Sequence, residues 1–278
     1  MTISTARDPR SGAATDLYVE VWGNGTPVVL VHGSLATGAD EWSAQRPLTD
    51  HGFQLIVPDR RGYGRSPAAI GEDFLVDADD VADLMSTGAH LVGHSYGGLS
   101  AMIAAARRPE ATLSLTLLEG PASSLAQHDE AWRALVEDVR HLWSRDLADD
   151  DWVVQFLEAV GSNPAELPAD LLAAAAELVP VFRRGRPFYE VDLPLVELMS
   201  ATYPKLVVSG GHHAGFESMS DDLAGSIGAS RAVITGAGHE IQFTGAPLND
   251  ALRRLWATAN RPPSGAARTT PADTGAPA

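Results

Sequence analysis

The stretch that most constrains this chain is Gly93-His94-Ser95-Tyr96-Gly97-Gly98, set between an apolar run at 89–92 and an Ala-rich, helix-favouring run at 99–107. A strand, a glycine-flanked serine and a helix in that order make the pattern G-x-S-x-G, a turn sharp enough to lift the serine hydroxyl clear of the backbone. Glycine on either side leaves the room that a Cβ would fill. A hydroxyl held this way is open to a neighbouring base, which makes Ser95 a candidate nucleophile. The N–H of Tyr96, at the start of the helix, faces the place where negative charge would develop on an attacked carbonyl.

The rest of the chain supplies the sheet that such a turn needs. Residues 17–22 alternate apolar and polar side chains, as a half-exposed edge strand does. Val28-Val29-Leu30-Val31 is the continuous apolar run of a buried strand, and it stops at His32-Gly33-Ser34. Residues 40–48 predict a helix with acids in its first turn, 53–58 a strand, 73–85 a helix and 113–118 a strand closed by Glu119-Gly120-Pro121. Strand patterns resume at 205–209 and 231–235, and 248–259 predicts a last helix. Residues 123–200 hold only helical patterns, at 126–144, 150–160, 168–181 and 193–201. Strands alternating with helices predict an α/β fold: a mostly parallel central sheet with helices on both faces and an inserted helical cap. The expected division is a core at 17–121 and 202–260, a cap at 122–201, a flexible N-terminus at 1–16 and a disordered Pro/Ala/Gly/Thr-rich tail at 261–278.

Composition excludes several functions. At 278 residues and 45% hydrophobic, the chain can bury one large core. A net charge of -16 leaves no basic face for nucleic acid or for an anionic membrane surface. The absence of cysteine rules out disulfides, thiolate nucleophiles and Cys-ligated metals. No run approaches the length of a membrane span, and the polar first residues carry no apolar signal segment, so a cytoplasmic location is expected.

Four pieces in order resemble the α/β-hydrolase fold over residues 17–259. They are His32-Gly33 after an apolar strand, Asp59-Arg60-Arg61-Gly62-Tyr63-Gly64-Arg65-Ser66, the Gly93 to Gly98 turn, and Gly236-Ala237-Gly238-His239 after the last strand. The resemblance implies a Ser, His, acid mechanism with no cofactor and no metal, and a structural role for the loop at 59–66. His239 matches the family's histidine and is the expected base. For the oxyanion, Tyr96 N–H pairs with an N–H from the loop after the 26–31 strand: Ser34, with Leu35 as the alternative.

The acid departs from the family's commonest pattern. Many relatives place an Asp a few residues beyond the strand matching 205–209, where this chain reads Gly210-Gly211-His212-His213-Ala214-Gly215-Phe216. Glu119, at the end of the 113–118 strand, matches branches such as haloalkane dehalogenases and zearalenone-type lactone hydrolases. Glu217 and the Asp221-Asp222 pair, which open the following helix, are the other candidates. Two adjacent histidines point in different directions and lack a third ligand at usual spacing, so His212 and His213 are not read as a metal site. Leu35, Trp42, Trp152 and Phe156 are expected to line an apolar pocket.

The expectation is a serine hydrolase of a small apolar carboxylic ester or lactone. The same residues also suit carbon–carbon bond hydrolysis, thioester hydrolysis or perhydrolysis. A non-catalytic relative that binds a small apolar ligand is the alternative of another class.

Overall fold

The computed structural model describes residues 15–259, so the predicted tail and all but the last two residues of the predicted flexible N-terminus lie outside the described residues. Those two are tied to the core: Thr15 Oγ1 donates to Asp80 at 2.8 Å and Asp16 pairs with Arg61 at 2.7 Å. Seven strands form one sheet: β1 (Val19–Gly23), β2 (Thr26–Val31), β3 (Phe53–Pro58), β4 (Ala89–His94), β5 (Thr112–Leu118), β6 (Lys205–Ser209) and β7 (Ser230–Val233). Their order across the sheet is β1-β3-β2-β4-β5-β6-β7. Only β1 is antiparallel, against β3; every other pairing is parallel. The apolar runs of β2, β4 and β5 take the central places, where both faces are covered.

Two cores flank the sheet. On one face α2 (Phe74–Leu84), α3 (Ser95–Arg107) and α8 (Ala214–Ile227) bury Val81, Leu99, Met102 and Leu223 against Val29, Leu91 and Leu117. On the other, α9 (Ala246–Ala259) and the segment around Trp42 bury Leu252 and Trp256 against Val28, Leu30 and Val92. Between β5 and β6 the described chain holds α4 (Glu130–Trp143), α5 (Asp149–Ala159), α6 (Ala169–Arg183) and α7 (Leu195–Ser200), and no strand. Trp152, Phe156 and Phe182 from α5 and α6 give this insertion its own aromatic core. Among the described residues no helix is long and apolar enough to cross a membrane.

Several elements differ from their predicted bounds. The insertion's first helix, expected at 126–144, begins only at Glu130. The helix expected at 40–48 splits into a short α1 (Gly38–Glu41) and a 3-10 run at Ser43–His51, because Pro47 has no N–H to extend an α-helix. The edge strand begins at Val19 rather than at 17, where its pairing with Pro58 ends. The last strand closes at Val233, and Ile234 N already donates to Ser209 O as the chain turns away.

Candidate active site

Ser34, Ser95, Tyr96, Glu119 and His239 gather at the C-terminal edge of the sheet, where open α/β sheets form their crevices. Ser95 follows β4 directly with φ 47°, a left-handed conformation that a side chain enters only under strain. Its neighbours are glycines because the turn is crowded. A Cβ on Gly97 would lie 2.3 Å from His32 O, and one on Gly93 would lie 2.7 Å from Gly97 O. As the second residue of α3, Tyr96 carries an N–H that the helix ladder leaves unpaired.

Glu119 leaves β5 with φ 46° and is fully buried. Its Oε2 accepts from His239 Nδ1 at 2.6 Å, and its Oε1 accepts the Gly210 N–H at 2.8 Å. With Nδ1–H committed to the carboxylate, the His239 Nε2 lone pair is free to take a proton. Glu217 stands elsewhere: it accepts from Gly211 N at 3.0 Å and pairs with Arg231 at 2.7 Å. Asp221 also pairs with Arg231, and Asp222 faces His128.

His212 approaches Glu119 from the other side. Its Nδ1 lies 3.3 Å from Oε1, an ion-pair distance without hydrogen-bond alignment, while Nε2 donates to Val160 O at 3.0 Å. Burial pushes the Glu119 carboxyl up, but His212 and the His239 hydrogen bond outweigh it and hold it down at about 2. Glu119, His212 and His239 thus supply the third group that spacing alone did not show. A separation of 2.6 Å between His239 Nδ1 and Oε2 is that of a direct hydrogen bond, shorter than two ligands of one ion would stand apart. The cluster is a carboxylate shared by two imidazoles.

A buried framework holds the loops around Ser95. His94 Nε2 donates to His239 O at 3.0 Å, and its Nδ1 lies 3.1 Å from Glu41 Oε1. Both nitrogens face acceptors, an arrangement that a doubly protonated ring satisfies. Burial opposes its charge, yet Glu41 raises its affinity for the proton. Glu41 also accepts the Gly33 N–H with both oxygens, which ties the loop after β2 to the same pair. Arg60, buried, bonds Asp77 and Glu72 at 2.8 and 2.9 Å and donates to the carbonyls of His32 and Gly33. Glu72 in turn accepts the Ser34 hydroxyl at 2.9 Å and the Tyr63 hydroxyl at 2.6 Å. Ser34 N–H itself is left without a partner among the described residues.

Ser34, Ser95, Tyr96 and His239 line one cavity. Ser95 and His239 make no hydrogen bond to each other among the described residues, a contact that in such sites tightens once substrate is seated. The remaining walls are apolar: Pro121 from the core, Phe216 from α8, and Trp132, Leu135, Phe156, Val160, Phe182 and Phe188 from the insertion. Of the four expected pocket residues, Phe156 lines this cavity and the other three do not. Trp42 is fully buried in the core on the α9 face of the sheet. Trp152 stacks on Phe156 from behind, at 5.4 Å and 9°, inside the insertion. Leu35 turns into the same aromatic core with φ 63°. Trp132 shares the apolar stripe of α4 with Leu135 and Val139, a spacing that marks a buried face but not the cavity it meets. Phe188, in the short turn Phe188–Glu190, carries no such signal, and Phe216 follows the His212-His213 pair at the start of α8.

A strained serine between strand and helix, a histidine after the last strand and a helical segment inserted between β5 and β6 are features of the α/β-hydrolase fold, and the chain has that fold. A sequence model of the family described as alpha/beta hydrolase fold matches residues 26–154. The chain is 39% identical over 104 residues to the non-heme chloroperoxidase CPO-A1 of Kitasatospora aureofaciens, a match spanning 35% of this chain and 36% of that protein. It is 35% identical over 182 residues to the pimeloyl-[acyl-carrier protein] methyl ester esterase of Chromobacterium violaceum, spanning 62% of this chain and 66% of that protein. These matches therefore cover less than two thirds of either relative. A thermophilic esterase from Thermogutta terrifontis shares the fold with a TM-score of 0.69 at 24% identity, over 90% of this chain and 98% of its own.

Proposed function

We propose that this protein is a serine hydrolase of a small apolar carboxylic ester or lactone, working through an acyl-enzyme. The observation that carries the reading is the 2.6 Å bond from His239 Nδ1 to the buried Glu119 carboxylate, beside a serine held at φ 47°. Ser95 Oγ attacks the carbonyl carbon while His239 Nε2 takes the hydroxyl proton, and Glu119 stabilises the imidazolium that forms. The N–H groups of Tyr96 and Ser34 receive the oxyanion, each worth on the order of 3 kcal/mol where such donors have been removed. His239 passes its proton to the leaving alkoxide. Water, activated by the same nitrogen, then releases the acid and restores Ser95. The apolar walls from Leu135, Phe156 and Phe188 favour a hydrophobic acyl or lactone group over a sugar or a charged substrate. The insertion then acts as a cap, because it supplies most of those walls.

Two measurements test the reading together: hydrolysis of a p-nitrophenyl ester, and covalent labelling by a fluorophosphonate. Wild type should do both and Ser95→Ala neither. Equal hydrolysis by the two proteins would sink the proposal. Wild type that neither hydrolyses nor labels would point to a binding protein on the same fold.

A further inference from the structure

His212 occupies the loop after β6 and contacts both ends of the apparatus. Its Nε2 donates to the carbonyl of Val160, a cavity wall at the end of α5, and its Nδ1 faces Glu119 Oε1. Both partners are acceptors only. A neutral imidazole has one N–H, so it would leave a lone pair pressed against one of these oxygens. With Nε2 donating to Val160 O, a second proton on the ring turns the 3.3 Å approach of Nδ1 to Oε1 from lone pair against carboxylate into an ion pair.

We propose that His212 is a positioning residue: as an imidazolium it holds the second oxygen of Glu119, ties that carboxylate to the cap through Val160, and sets the pH range in which His239 works as a base. This rests on the serine-hydrolase reading. The titratable groups around His212 and His239 are Glu119 at the end of β5, Glu240 after β7, His213 in the loop of His212, and His94 at the end of β4, whose ring centre is 4.9 Å from that of His239 but which is paired with Glu41. Burial disfavours the charged ring, but Glu119 and the Val160 carbonyl favour it and raise its proton affinity. The His212 and His239 ring centres are 6.2 Å apart. A cation at that distance opposes protonation of His239, the form that cannot accept the Ser95 proton. It therefore extends activity toward acid. Coulomb's law between water-like and near-surface dielectric values puts the effect at about 0.5 to 2 pH units.

The test compares kcat/KM against pH for wild type, His212→Asn and His212→Phe with a p-nitrophenyl ester. Asn places an amide N–H where Nδ1–H stood, without charge; Phe removes both. The acid limb should move to higher pH by about 0.5 to 2 units in both variants, with the plateau kcat better kept by Asn than by Phe. If Phe at this position fails to fold, His212→Asn carries the test alone. Ring 15N shifts at pH 7 give a readout independent of turnover: wild type should show a doubly protonated imidazole that is missing from His212→Asn. A lower plateau with an unmoved acid limb, or a neutral ring at His212, overturns the proposal and leaves a packing role. Ser95→Ala separates the two failures. If it is inactive while the limb stays put, only the role of His212 falls; if it remains active, the hydrolase reading falls and the inference with it.

Discussion

Replacing Glu119 by Gln keeps the shape of the side chain and removes its charge, and the surrounding donors decide how the amide sits. With its oxygen on the Gly210 N–H, now 2.8 Å from Oε1, its NH₂ faces His239 Nδ1 at the place of the 2.6 Å bond. Nδ1 must then accept. The ring proton moves to Nε2, and the nitrogen meant to receive the Ser95 proton already carries one. Turned over, the NH₂ would abut the Gly210 N–H and the His212 ring, donor against donor. The first seating prevails. Exchange of a triad acid for its amide in this sense costs on the order of 10⁴ in kcat, which is about 5.5 kcal/mol of transition-state stabilisation. Glu217→Gln is the control. Its carboxylate is engaged by Arg231 on the partly exposed side of α8, so kcat/KM should stay within about threefold of wild type. Initial rates of p-nitrophenyl ester hydrolysis at neutral pH, with thermal unfolding to show that each variant is folded, decide the matter. Glu119→Gln within about tenfold of wild type, or Glu217→Gln losing a thousandfold or so, would refute the tautomer argument.

Two further outcomes concern the framework. Arg60→Met strands Glu72 and Asp77 as buried, uncompensated carboxylates, and should cost about 3–5 kcal/mol in urea unfolding; a loss under about 1 kcal/mol would show that water reaches the pair. Glu41→Gln removes the partner that raises the proton affinity of His94. The stability from that pair is fully present below the unfolded histidine value of about 6.5 and is lost as pH rises through the higher folded value. The gap between wild type and Glu41→Gln should therefore be widest below about pH 6.5 and shrink above it; a gap that grows with pH contradicts the assigned charge state.

The parts of the fold that sequence makes legible are those whose cause is local. Val28-Val29-Leu30-Val31 and the 89–94 run are buried on both faces, and glycine-bearing turns bound them, so β2 and β4 follow from apolar continuity alone. The helix at 40–48 fails because two local signals conflict: acids in a first turn invite an α-helix, while Pro47 and the inward pull on Glu41 and Gln45 break it into shorter turns. The site divides in the same way. Ser95 and His239 sit in turns that announce themselves. The sequence favours Glu119 over Glu217 by its place at the end of the 113–118 strand and by the resemblance, but what separates them physically is which basic group each meets, His239 or Arg231, across the fold. Trp42 and Trp152 mislead since an aromatic side chain has more than one face to choose from, and only tertiary packing chooses: against the sheet for Trp42, inside the insertion's aromatic core for Trp152. His212 was in view throughout; its partners Glu119 and Val160 come from β5 and from the end of α5, which no spacing rule connects.

Backbone strain supplies a criterion independent of hydrogen bonds. Four non-glycine residues among those described have left-handed φ: Leu35, Ser86, Ser95 and Glu119. Each such residue costs on the order of 1–3 kcal/mol, relief that glycine would give at once. Ser86 lies in the turn between α2 and β4, while the other three lie at the C-terminal edge of the sheet, in the loop after β2, at the start of α3 and at the end of β5. Glycine at 95 or 119 would remove the strain together with the hydroxyl or the carboxylate. If Ser95 and Glu119 act as proposed, the strain at these two positions stands where the side chain cannot be given up. Glu217 bears none of it, being an ordinary helical residue of α8. By that measure Glu119 belongs with Ser95, on grounds that do not depend on the distance to His239.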